Sequence, residues 1–330
     1  MSDRDDDLAS RLAKLSPEKR RLFELLEKKR APAPPPAPVH DGGSPGKPGS
    51  APMPPGEAII SRDRFDVEAE HGVDQRDLRA FYDTVTGQLD ASPFAEHAIF
   101  LNYGYTPDDN PSLSRVTLPE NCLNKNCTRL VLELFGDCPL SPADRVLDVG
   151  CGRGGLAFVL RRYFTAGPYL GVDLSPAAIA FCQRTHRYPD TRFVAGDAQH
   201  LPAEDASFDV VTNLESSHGY PDVHAFFREV ARVLRPGGHF LYTDLIPVDR
   251  VASHLGALRD LGLHVEHERD ITSNVLLSCD ETAATHARAF RQENDRGIMD
   301  VFLGVPSSRL YQDMKTGRQT YSMYSFVRSR

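Results

Sequence analysis

The stretch Arg-Val-Leu-Asp-Val-Gly-Cys-Gly-Arg-Gly-Gly, residues 145–155, constrains the fold of this chain more than any other. Val146, Leu147 and Val149 make a short apolar run that ends in glycines, and residues 156–163 behind it carry a helical pattern. The segment therefore reads as strand, tight turn, helix. Glycines let the backbone turn sharply and let a ligand approach main-chain N–H groups at a helix N-terminus, where the helix dipole favours negative charge. Gly150, Gly152 and Gly155 also satisfy the G-x-G-x-x-G pattern of dinucleotide sites, so the turn alone leaves the nucleotide open.

What surrounds the turn is an alternation of strand and helix patterns. Strands are predicted at 145–149, 169–173, 192–195, 208–214 and 239–245, with helices near 156–163, 176–186 and 222–234. Such alternation predicts an α/β fold, a Rossmann-like, doubly wound and mainly parallel sheet whose ligand lies at the carboxyl ends of the strands. Two further strands near 263–270 and 320–327 bring the sheet to seven, and the region between them, 280–312, reads as a lid or substrate wall. Ahead of the sheet, Leu78, Phe81 and Tyr82 form a packing face after about Val73, and a long helix is predicted from about Leu118 to Phe135. Tyr103, in Asn-Tyr-Gly-Tyr at 102–105, is a candidate cofactor contact or a core residue.

At 330 residues and 40% hydrophobic content the chain can bury one large core with appendages. Residues 31–55 hold ten of the 25 prolines, too little apolar surface to offset ordering, and read as a semi-rigid linker. The predicted organisation is a helical, docking-like segment at 1–30, this linker at 31–55, an N-terminal helical cap at 56–140, and a core at 141–330. Within 1–30, Leu8, Leu12 and Leu15 and then Leu22, Leu25 and Leu26 fall at helical spacing around Ser16-Pro17, giving either a partner-binding stripe or a solvated tail. A net charge of −8 argues against a nucleic-acid partner, and no apolar run approaches the ~20 residues of a membrane span, so a cytoplasmic protein is expected. The six cysteines form no C-x-x-C pair; Cys122 and Cys127 are read as free thiols, with a bridge as the alternative, and no metal-ligand spacing is seen.

Carboxylates recur where strands end: Asp148 in the first, Asp173 in the second and Asp197 just past the third. An acid after the second strand suits a ribose diol, since its two oxygens accept both hydroxyl protons. Gly196-Asp197-Ala198, the stretch Leu201-Pro202 to Ser207-Phe208-Asp209-Val210-Val211, and Val233-Leu-Arg-Pro-Gly-Gly238 complete a set that resembles class I S-adenosylmethionine-dependent methyltransferases. The resemblance implies S-adenosylmethionine as cofactor, with Gly150, Gly152 and Asp148 at its methionine part. It likewise places Asp173 on the ribose, Leu174 beside the adenine, Asp197 and Ala198 at the adenine amino group, and Asn213 among the cofactor-binding residues.

The substrate side is carried by Asn213-Leu-Glu215-Ser-Ser-His218-Gly-Tyr220. A carboxylate three positions before an imidazole, at the open end of a sheet, is a base-plus-orienter arrangement, which makes His218 the candidate general base and Glu215 its orienter. The stretch resembles the Asn-x-Glu-Ala-Ser-His-Cys-Tyr of mycobacterial phthiotriol and phenolphthiotriol dimycocerosate methyltransferases, and the pair resembles that of polyketide-synthase O-methyltransferase domains. Ser216 and Gly219 replace the Ala and Cys of the lipid enzymes, so a lipid substrate does not carry over. Residues 15–26 resemble the helix that precedes condensation domains of nonribosomal peptide synthetases. Together these imply O-methylation of a small hydroxylated polyketide or peptide intermediate, free or held on a carrier protein, with residues 1–30 meeting a synthetase. The alternatives are a C-methyltransferase of the sterol or quinone type and a non-catalytic cofactor-binding partner of an assembly line.

Overall fold

The computed structural model describes residues 75–92, 95–108, 112–136, 138–289 and 304–330. The segment 1–30, the linker 31–55 and the start of the cap lie outside the described residues, as do 290–303 of the expected lid. Seven strands, β1 (Val146–Val149), β2 (Tyr169–Asp173), β3 (Thr191–Ala195), β4 (Phe208–Leu214), β5 (Leu234–Pro247), β6 (Leu263–Asp270) and β7 (Gln319–Arg328), form one sheet. Their order is β3-β2-β1-β4-β5-β7-β6. β1 to β5 pair in parallel, and β7 runs antiparallel between β5 and β6. Strand order reverses between β1 and β4, and connections that leave in opposite directions open a crevice at the carboxyl ends of those two strands.

β1 is buried along its whole length, which its near-continuous apolar run requires of a central parallel strand. β6, at one edge, exposes most of its His, Glu and Arg side chains, a charged edge that discourages further pairing. Helices cover both faces: α1 (Gln75–Ala91), α2 (Lys125–Leu134), α3 (Gly155–Tyr163), α4 (Pro176–Thr185), α5 (Val223–Val233), α6 (Val251–Asp260), α7 (Thr272–Ala289) and α8 (Arg309–Lys315). One core joins Leu130, Leu132, Leu156, Val159, Ile179, Val275 and Met314 from α2, α3, α4, α7 and α8; the other joins Phe226, Phe227, Val230 and Leu258 from α5 and α6 to β4, β5 and β7. α4 starts where Ser175 accepts from Ala178 N ahead of Pro176, and α5 where Asp222 accepts from Ala225 N.

Three elements differ from expectation. The helix expected from Leu118 begins only at Lys125, because Pro119 sits in the preceding turn and Asn124 adopts the left-handed region at φ 54°. β5 starts five residues early: Leu234 already pairs with Phe208, and the Pro-Gly-Gly stretch is absorbed as an irregularity with Gly237 at φ +76°. α6 was not anticipated; Leu258 is its one buried residue, so the stretch carries little apolar periodicity.

Candidate active site

The glycine turn hangs on β2, with the amides of Gly150 and Cys151 both donating to the Val172 carbonyl at 2.8 and 3.0 Å. Gly150 is at φ +75°, and a Cβ there would stand 1.9 Å from Ser216 Oγ. No other residue fits, so the turn lies tight against the loop after β4. Asp173 accepts from Gly152 N at 2.8 Å and Ser175 N at 2.9 Å. Burial raises its pKa, the two amides oppose that, and the net effect is upward. Its carboxylate is thus fixed in place at the end of β2 with lone pairs left over. Asp197 accepts from Gln199 N at 2.8 Å and faces His200 Nδ1 at 3.2 Å. Burial would raise it, but those bonds and one from Gln75 outweigh burial and hold it below the usual carboxylate range. Asp148 lies deeper, 2% exposed, accepting from Tyr169 OH and Thr212 Oγ1, and burial pushes it up to about 6.

These groups open on one cavity of about 450 Å³. Gly150, Gly152, Asp148, Asp173, Leu174, Asp197, Ala198 and Tyr103 all line it, so the structure brings the candidate cofactor residues to one place. Asn213 is the exception. It is fully buried beneath the wall, donating to the Val149 carbonyl at 2.9 Å and to Tyr220 OH at 3.1 Å, and it does not line the cavity. Its role is to tie β4 to β1 rather than to touch a ligand. His186 packs against the Arg153 carbonyl, and His200 is a surface residue.

At the other end of the cavity, residues Ser217–Gly219 form a short 3-10 turn that presents His218. Its Nδ1 lies 2.6 Å from Oδ1 of Asp244, which is fully buried on β5. Asp244 also accepts from Ser217 Oγ at 2.6 Å, His218 N at 3.1 Å and Leu245 N at 2.8 Å. Burial alone would lower the imidazole's pKa, but the charge and hydrogen bond of Asp244 outweigh it and leave the ring raised. For Asp244 the reverse holds: burial would raise it, and His218 keeps it low. With Nδ1 committed as donor, Nε2 carries the lone pair.

The carboxylate that His218 meets is therefore Asp244, not the expected Glu215. Glu215 sits in the left-handed region at φ 48° and turns away to accept from the phenol of Tyr321 and from Tyr103 N at 2.8 Å. Burial pushes its carboxyl up to about 8, so near neutral pH it is a poor counter-charge for an imidazolium. What it holds is the Tyr103 strap, whose carbonyl in turn accepts from Ser278 on α7 at 2.7 Å. Asp244 carries a signal of its own, an acid inside an apolar strand, but its partner becomes visible only when β4 pairs with β5. Gln75, Leu310 and Arg250 also line the cavity and were not foreseen.

The cap closes over this crevice through Arg153, whose side chain is buried. Its guanidinium donates to the carbonyls of Ala95 and Ala98, pairs with Asp90 at 2.9 Å, and lies 3.5 Å above the Phe181 ring. Asp83, also on α1, accepts from Ser175 Oγ and from Ala177 N at the start of α4. One helix is thereby fastened beside both the glycine turn and Asp173.

A doubly wound sheet with a glycine cradle after β1 and two held carboxylates at the ends of β2 and β3 fits proteins of the adenosyl-cofactor class. The cradle leaves no room for a Cβ, and Asp173 and Asp197 offer acceptors for hydroxyl and amino protons, a donor-acceptor set that fits S-adenosylmethionine. The family described as the methyltransferase domain matches residues 147–242. A fatty-acid O-methyltransferase of Mycolicibacterium smegmatis is 34% identical over 275 residues, covering 83% of this chain and 98% of that protein. A phthiotriol/phenolphthiotriol dimycocerosates methyltransferase of Mycobacterium leprae is 34% identical over 272 residues, covering 77% and 93%. Among solved structures, a geranyl diphosphate C-methyltransferase of Streptomyces coelicolor shares the fold with a TM-score of 0.58 at 21% identity, over 77% of this chain and 97% of that one. The chain belongs to the S-adenosylmethionine-dependent methyltransferases. Among the described residues, no helix is long and apolar enough to cross a membrane, no group of His, Cys, Asp or Glu is placed to hold a metal, and all six cysteines are free thiols.

Proposed function

We propose that the protein methylates a hydroxyl group of a small, largely apolar intermediate of polyketide or nonribosomal-peptide type, with His218 as general base. The observation that carries this reading is the His218–Asp244 pair at the cavity wall. The cofactor supplies a methyl group already activated on a sulfonium, so the chain has to align an oxygen and remove its proton. A neutral aliphatic hydroxyl is a poor nucleophile, and a carboxylate acceptor would need no base at all. The imidazole Nε2 takes the hydroxyl proton while Asp244 holds the tautomer and offsets the positive charge that develops. Leu78, Leu214 and Leu310 also line the cavity and suit an apolar body. Gly219 keeps the cavity open beside them, since a Cβ there would face Tyr82 and Leu78. One relative is named for transfer to oxygen, in keeping with the reading.

The test combines product analysis with one variant. With a labelled methyl donor and a panel of hydroxylated acyl and polyketide acceptors, the methyl is expected on oxygen by NMR. His218→Ala should lower kcat by ~100- to 10,000-fold, the usual span of a general base, with cofactor affinity unchanged by calorimetry. Normal turnover in that variant, or a methyl on carbon, overturns the reading.

A further inference from the structure

We propose that Arg250 is a specificity-determining residue of the acceptor site and holds an anionic group of the substrate, a carboxylate or a phosphate, at the mouth of the cavity. The inference rests on the methyl-transfer reading and adds the charge of the acceptor to it. Arg250 stands three residues past the end of β5, six after Asp244, and lines the same cavity as His218, Gly219, Tyr220 and Pro221. It lies past β5, on the other side of the β1–β4 switch from Asp148 on β1, Asp173 on β2 and Asp197 after β3.

The charge inventory of the wall singles this residue out. Asp148, Asp173, Asp197 and Glu215 line the cavity with the His218 imidazole, which Asp244 already holds, and two guanidinium groups, Arg153 and Arg250. Arg153 is saturated within the fold by Asp90 and backbone carbonyls. The backbone of Arg250 is fixed, its N–H donating to the Pro247 carbonyl and its carbonyl accepting from His254 N, yet its exposed side chain makes no ion pair or hydrogen bond among the described residues. A planar guanidinium with unused donors matches carboxylate and phosphate oxygens two at a time. Asp173 and Asp197 repel an anion from the end of the cavity under β2 and β3, so a negatively charged acceptor is favoured in one orientation, its head at Arg250 and its apolar body along Leu78, Leu214 and Leu310. The substrate class is thus an anionic amphiphile. Its charge belongs either to a free acid or to the phosphate of a carrier-type thioester.

The test is binding by the full-length protein saturated with S-adenosylhomocysteine, which needs no turnover. Three probes share one chain: 3-hydroxydodecanoate, its neutral methyl ester, and its phosphopantetheine thioester. The parent protein should bind at least one anionic probe more tightly than the ester, and which of the two identifies the source of the charge. Arg250→Ala should weaken that anionic probe by ~10- to 100-fold, the scale of a charge-assisted hydrogen bond, and leave the ester and S-adenosylhomocysteine unchanged. Arg250→Lys should recover part of the loss. Equal affinity of ester and both anions for the parent, equal losses for all probes, or a loss of S-adenosylhomocysteine binding overturns the proposal. Methyl transfer is scored separately: charge-selective binding with no methylated hydroxyl in any probe sinks the O-methylation reading alone, and turnover without charge preference sinks this one alone.

Discussion

Asp244 shows how one buried carboxylate sets the behaviour of a neighbouring base. Because Asp244 raises the imidazole against the pull of burial, the acid limb of kcat/KM against pH should lie above the ordinary imidazole value of 6.5, with activity rising as His218 loses its proton. Asp244→Asn removes the main upward cause and leaves burial opposed only by the more distant Glu215, so the limb should move to lower pH while turnover falls about 100-fold or more. A limb that stays put in the variant would mean that another group titrates. Asp173→Ala should weaken cofactor binding by several kcal/mol at most, at ~1.5–3 kcal/mol per charge-assisted bond, as read by calorimetry. Gly150→Ala should be harsher, since its Cβ has nowhere to go beside Ser216, and lost binding in a protein that still melts cooperatively is the expected result. His218 was legible because its local motif lies within a few residues. Its partner lies 26 positions away and joins it only through the β4–β5 register, in which Asn213 faces Tyr242 and Leu214 faces Thr243. Glu215 stood closer in sequence and misled for that reason: its left-handed backbone aims the carboxyl at Tyr321 and Tyr103 instead.

Strands were readable from their apolar runs, and even the largely exposed edge strand β6 was legible at 263–270; what was missed or misplaced lies among the helices. β1, β2 and β4 carry dense Val and Leu, whereas α6 buries one leucine and α2 loses its expected first turns to Pro119 and a left-handed Asn124. α1 illustrates a further limit: its apolar face was visible, but not that Asp83 and Asp90 fasten it to α4 and to the glycine turn. Arg153→Met leaves the carbonyls of Ala95 and Ala98 without their donor, while Asp90, which is solvent-exposed, keeps Arg184 as a partner, so the cost is that of unpaired buried backbone groups, ~1–3 kcal/mol each. The expected outcome is a lower melting temperature together with faster amide exchange in α1 and residues 95–98, while β4 and β5 stay protected. Uniform loss of protection across the sheet would show instead that α1 is no separable element.

At the scale of the whole molecule, the proline-rich residues 31–55 separate the leucine-bearing segment 1–30 from the catalytic fold in sequence. Deleting residues 1–55 should leave cofactor affinity and turnover on a free acceptor unchanged and slow only the methylation of an intermediate held on a carrier protein, since a tether raises local concentration and not chemistry. Comparing full-length and truncated protein on both substrates decides it, an equal loss on both refuting the separation. The sheet itself imposes an order of assembly. β1 to β5 can pair as they leave the ribosome, but among the described residues β6 pairs with β7 alone and β7 is synthesised about fifty residues later, so β6 must wait. Until then the outer edge of β5, from Leu241 to Ile246, lies open as a template for other chains, and Glu215 lacks the phenol of Tyr321. Closing the sheet thus falls to β7, and a chain interrupted before Gln319 both leaves this edge of β5 unpaired and deprives the core around α2 and α3 of Tyr321 and Met323, so it is sticky along one side.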